Sequence, residues 1–142
     1  MECEATLRVV TEQPEVDFIT EALGVEPTHT HLKDAPISTF TPDRKRRSSV
    51  WLRECPLDRS RKLEHHIEWI VEILEAHASG IDALARRGCT VDIICCVTSE
   101  SGQAGTVLTA SLLRRLANQR IDLVIDLYPP EADRDRSTSI HG

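Results

Sequence analysis

Three segments of this chain alternate in hydropathy with period two, and no other feature limits the fold as much. From Cys3 to Val10, Cys3, Ala5, Leu7 and Val9 interleave with Glu4, Thr6 and Arg8. From Val91 to Val97, Val91, Ile93, Cys95 and Val97 interleave with Asp92, Ile94 and Cys96. From Ile121 to Tyr128, Ile121, Leu123, Ile125 and Leu127 interleave with Asp122, Val124 and Asp126. Successive strand side chains point to opposite faces, so each segment offers one apolar and one more polar face. A sheet packed on one side and wetter on the other is the expected product.

Helical spacing fills the intervals. Pro14 suits a first helical position, where its missing N–H is an unpaired donor anyway, and Val16, Ile19 and Leu23 follow at helical spacing up to Gly24. Beyond Asp58 and Ser60, either of which suits an N-cap, Leu63, Ile67, Ile70, Leu74 and His77 make one stripe, with Glu64, Glu68, Glu72 and Glu75 opposite. Gly80 is expected to break this helix before a shorter one carrying Ile81, Leu84 and Ala85, which Gly88 closes. Thr109 is placed to cap a last helix with Leu112, Leu113 and Leu116 on its apolar side. Val50 to Glu54 reads as a strand ended by Cys55-Pro56, and Thr28 to Lys33 as a short edge strand. The intervening stretch, Asp34 to Ser49, reads as a mobile loop carrying Arg44-Lys45-Arg46-Arg47.

This order predicts an α+β fold: a ferredoxin-like βαββαβ sandwich extended by a C-terminal helix and strand, with a mostly antiparallel sheet and helices on one face. Residues 1–128 form the expected single domain, and residues 129–142, opening with Pro129-Pro130, the expected disordered tail. With 142 residues, 40% of them hydrophobic and 28% charged, one core burying about two-thirds of the unfolded surface suffices.

A formal charge of -6 disfavours nucleic acid as the main partner, since phosphate binding needs a segregated positive field. It suits a basic protein partner. No stretch approaches the roughly 18 apolar residues of a membrane helix, and Met1-Glu2-Cys3-Glu4 lacks the basic start of a secretory signal, so a cytosolic protein is expected. Five cysteines without CxxC spacing read as reduced thiols.

Alternation also assigns the residues left for function. If helices cover the side bearing Leu7, Val9, Ile93, Val97, Leu123 and Ile125, then Arg8, Trp51, Arg53, Asp92, Asp122 and Asp126, together with Thr6 and Cys96, belong to the other side. That set is the candidate binding surface, for self-association or for a basic partner of the kind an immunity protein neutralises. No catalytic residue, metal ligand set or cofactor site is assigned. His65 and His66 are adjacent on a helix and project about 100° apart, too far to share one metal. His29 and His31 share a strand face, but zinc needs further ligands. Asp92, Asp122 and Asp126 support a metal-dependent or small-molecule enzyme only if their strands bring them together. P-loop, GxGxxG, GxSxG and HExxH motifs are all missing from the sequence.

The short motifs Ala5-Thr6-Leu7-Arg8-Val9-Val10, Leu23-Gly24-Val25-Glu26-Pro27-Thr28, Val50-Trp51-Leu52, Leu63-Glu64-His65-His66-Ile67, Gly88-Cys89-Thr90-Val91-Asp92-Ile93 and Leu123-Val124-Ile125-Asp126-Leu127-Tyr128 occur in this order. In that ordered set the chain resembles the bacterial domain-of-unknown-function family numbered 4279, over about Ala5 to Tyr128. The family pattern carries a tryptophan and a lysine-glycine pair after the Pro-Thr step, where this chain has His31-Leu32-Lys33-Asp34. The resemblance implies a small bacterial cytosolic α+β protein and no particular activity.

Overall fold

The computed structural model describes residues 1–128, apart from the side chains of residues 41 and 42; the expected tail lies outside the described residues. Its first strand, β1 (Glu2–Thr11), is the middle of a five-stranded sheet. Helix α1 (Asp17–Leu23) and strand β2 (His29–His31) follow, then a hairpin of β3 (Pro36–Ser38) and β4 (Thr41–Lys45), strand β5 (Ser49–Glu54), helices α2 (Leu63–Ala76) and α3 (Ala78–Arg86), strand β6 (Thr90–Thr98), helix α4 (Ala110–Asn118) and strand β7 (Asp122–Tyr128). The sheet order is β2-β5-β1-β6-β7. All neighbours are antiparallel except β6 and β7, which run parallel because α4 carries the chain back across the sheet.

Antiparallel register places directly opposed residues on the same face. Leu7 lies between Arg53 and Ile93, and Val9 between Trp51 and Val91. Against this face pack Ile19 and Leu23 of α1, Leu63, Ile67, Ile70 and Leu74 of α2, Leu84 of α3 and Leu116 of α4. The α2 stripe read from spacing is therefore the core stripe, extended by the fully buried Val71.

Helix α1 starts at Asp17 with Val16 as its N-cap, so Pro14 precedes the helix instead of opening it. Three further local expectations change. The stretch from Asp34 to Ser49 is a hairpin rather than a loop, closed by Asp34 N–H donating to the Arg46 carbonyl and Arg46 N–H to the Ala35 carbonyl, both at 2.9 Å. Its polar side chains conceal it, since the paired backbone and not a buried face defines these strands. Second, Gly80 lies inside α3 and does not end α2. The break is at His77 (φ -130°, ψ 41°), whose Nδ1 donates to the Ile73 carbonyl at 2.9 Å. Gly80 instead permits close packing, since a Cβ there would stand 1.9 Å from the Ala22 carbonyl oxygen of α1. Third, Asp58 and Ser60 cap each other's turn, with the Asp58 carboxylate accepting from Ser60 N–H at 2.9 Å and Ser60 Oγ at 2.6 Å. Those bonds hold the Asp58 carboxyl below its ordinary range. Helix α2 then starts after Lys62 without a side-chain cap, whereas Thr109 caps α4 as expected, accepting from Leu112 N–H at 3.2 Å.

Candidate interaction surface

The second face of the sheet is covered by no helix among the described residues, and the register arranges it in rows. One row runs Leu52, Arg8, Asp92, Asp122; the next, Glu54, Thr6, Ile94, Val124; the next, Glu4, Cys96, Asp126. His29 and His31 extend it over β2, opposite Leu52 and Val50. Leu52, Thr6 and Ile94 are half-buried by their strand neighbours alone. The face therefore has an apolar pair, Ile94 and Val124, side by side on β6 and β7, with carboxylates in the same row and in the rows on either side.

Its arginine is already engaged. Arg8 donates from Nε to Asp92 Oδ1 at 2.9 Å and from a terminal nitrogen to Asp92 Oδ2 at 2.6 Å, a two-pronged pair across β1 and β6. Hydrogen bonding to Asp92 outweighs partial burial and holds the guanidinium firmly protonated. With Arg8 neutralised by Asp92, the residual charge of the face comes from Glu2, Glu4, Glu54, Asp122 and Asp126. Arg59 offsets part of it at one end, 2.5 Å from Glu4.

Arg8, Asp92, Asp122 and Asp126 thus share the uncovered face as the alternation predicts. Trp51 and Arg53 do not, and this corrects their assignment. Opposed to Val9 and Leu7, they point into the helix layer. Trp51 is fully buried, and its indole N–H donates to Thr20 Oγ1 of α1 at 3.1 Å. Arg53 lies over the Trp69 ring of α2, 5.3 Å from its centroid, and donates to the Glu26 carbonyl at 3.2 Å. Strand β5 is apolar on both faces, through Trp51 on one and Val50 and Leu52 on the other, so alternation within it has two phases. Only the pairing with β1 selects one.

The helix-side residues of β7 also depart from the expected burial. Leu123 is half-buried, but Ile125 and Leu127 are 43% and 77% exposed, because the core closes over β6 and leaves the last strand at its margin. Leu127 is exposed at the margin of the helix side, which its position at the end of an alternating strand does not reveal.

The enzymatic candidates do not assemble. Asp92 and Asp122 are opposed in register, but Asp126 is four residues further along β7, about 13 Å away at strand rise. Among the described residues no three His, Cys, Asp or Glu side chains lie together as a metal-ligand group. His66 is buried, and its Nε2 donates to the Asp58 carbonyl at 3.1 Å, tying α2 to the preceding turn. Burial pushes the Cys96 thiol up, although the Tyr128 hydroxyl bonds to it, so it is a poor nucleophile at neutral pH. No described helix is long and apolar enough to cross a membrane.

The class is therefore an α+β domain of four described helices on one side of a five-stranded, mostly antiparallel sheet whose other side is acidic and, among the described residues, covered by no helix. Over residues 1–130 the chain matches the family described as "Domain of unknown function (DUF4279)", and it belongs to that family. No curated protein and no solved structure matches it.

Proposed function

We propose that this protein is a non-enzymatic interaction module that receives a basic protein partner on its uncovered sheet face. The observation that carries the reading is the composition of that face. Ile94 and Val124 supply an apolar pair on β6 and β7, with Leu52 on β5 beyond Arg8, while Glu4, Glu54, Asp122 and Asp126 lie around them as carboxylates that Arg8, engaged by Asp92, does not neutralise. An apolar centre within a charged rim is the common anatomy of protein interfaces, and the sign of the rim selects a partner of opposite charge. The spread of the carboxylates along three strands favours contact with a macromolecule over enclosure of a small substrate.

We also read the fold as ferredoxin-like, on the support of the order β2-β5-β1-β6 with neighbouring directions alternating and β7 added beyond. Five unpaired cysteines support a reducing, cytosolic setting.

The test is affinity capture from the source cells with the wild-type chain and with the double variant Asp122→Lys/Asp126→Lys, both positions being exposed. A basic protein retained by the wild type and lost by at least about tenfold from the double variant is expected, with capture weakening as salt rises. Equal capture by both chains would remove the face from the interaction.

A further inference from the structure

We infer that β7 pairs antiparallel with the β7 of a second copy of this chain, about a two-fold axis at Ile125, joining the two sheets into one. The inference concerns the edge of the sheet rather than its face, and it stands whether or not a basic partner binds.

The two edges of the sheet are built differently. At one end β2 is three residues long, His29-Thr30-His31, which is the short polar form that resists further pairing. At the other, β7 runs seven residues without a register shift against β6, and among the described residues it has a strand on that side only. It contains no proline, lysine or arginine, and its two charges, Asp122 and Asp126, both lie on the face away from the helices. Val124, Ile125, Leu127 and Tyr128 are 36%, 43%, 77% and 46% exposed. A long, regular, mostly apolar edge whose outward backbone groups meet no strand among the described residues is a template for another strand.

Its sequence also selects the partner and the register. A two-fold axis perpendicular to the sheet keeps the helices of both copies on the same side and pairs residues of like face. Centred on Ile125, it sets Leu123 against Leu127 and Ile125 against itself on the helix side. On the other side it sets Val124 against Asp126 and Asp122 against the Tyr128 phenol. Every apolar residue of the helix side then meets an apolar residue, and no carboxylate opposes another. Moving the centre to Val124 would set Asp122 against Asp126 in both halves, and moving it to Asp126 would set that residue against itself, which like-charge repulsion disfavours. Centres further out shorten the ladder.

Two neighbouring lysine substitutions test partner and register together, because both positions are exposed and neither lies in the core. Ile125→Lys places lysine opposite lysine across the axis, whereas Val124→Lys places each lysine opposite the other copy's Asp126. By light scattering at tens of micromolar, the wild type should have twice the 15.9 kDa chain mass. Ile125→Lys should raise the dissociation constant at least about tenfold, and Val124→Lys should leave it unchanged or lower it. Circular dichroism should be the same for all three. A monomeric wild type overturns the inference, and so does loss of the dimer in Val124→Lys to the same degree as in Ile125→Lys. Protection from hydrogen exchange, in a monomer, of those β7 amides that point away from β6 would likewise overturn it, by showing that the chain itself covers this edge.

Discussion

Trp51 shows how little a single residue type reveals about which side of a sheet it serves. An exposed aromatic on a strand would be a binding anchor; here the same indole is fully buried, stacked in register beside Val9 and bonded to Thr20. Trp51→Ala should therefore cost about 3–5 kcal/mol in chemical denaturation, the range for emptying an aromatic core site, while leaving binding at the acidic face intact in the folded fraction. Trp51→Phe, which keeps most of the ring and loses the bond to Thr20, should cost less, about 1–2 kcal/mol. Cys95 makes a second residue-scale case. Burial pushes its thiol up to about 12, so iodoacetamide at pH 8 should leave Cys95 unmodified in the native chain and label it after unfolding, as read by peptide mass spectrometry. Its burial was legible in advance because Ile93, Cys95 and Val97 form an unambiguous apolar row. That of Trp51 was not, because β5 is apolar in both phases.

At the scale of elements, legibility follows the amount of buried apolar area. Helix α2 was readable because Leu63, Ile67, Ile70 and Leu74 repeat at core spacing. The β3–β4 hairpin was not, because its strands bury little and its tip residue Phe40 is 93% exposed. The role of Gly80 was also hidden, since close approach of α1 to α3 is a tertiary fact. Gly80→Ala must displace the Ala22 carbonyl of α1, and a loss of about 1–3 kcal/mol is expected in thermal or chemical denaturation. Helix α4 is fixed to α2 by a different device. Arg115 bonds to Glu75 at 2.6 and 3.1 Å and to Glu68 at 3.1 Å. The bond to Arg115 lowers the Glu75 carboxyl below its ordinary 4.5. Its contribution is therefore present above that value and lost as the pH falls through the depressed one. Because both carboxylates are partly exposed, the effect should be a small loss of thermal stability in that acid window, absent from Arg115→Ala. Equal acid sensitivity in Arg115→Ala would show that the clamp is not its source.

For the whole molecule, one side of the sheet accounts for folding and the other is left over. The helix layer uses Leu7, Val9, Trp51, Ile93 and their neighbours, and the alternation that places these inward places Arg8, Asp92, Asp122 and Asp126 outward. That much of the candidate surface was legible from period two alone. Its acidic balance was not, because cancelling Arg8 requires the register that sets it against Asp92, and the place of β7 at the edge of the described sheet required knowing the strand order. The reading that the uncovered face is the working surface is tested most directly by carboxylate footprinting, comparing the protein in a lysate of its source cells with the purified chain. Reduced labelling of Glu54, Asp122 and Asp126 in the lysate, with the helix-side Glu72 labelled equally in both, is the expected result. Protection at Glu72 with the three face carboxylates as reactive as in the purified chain would contradict it.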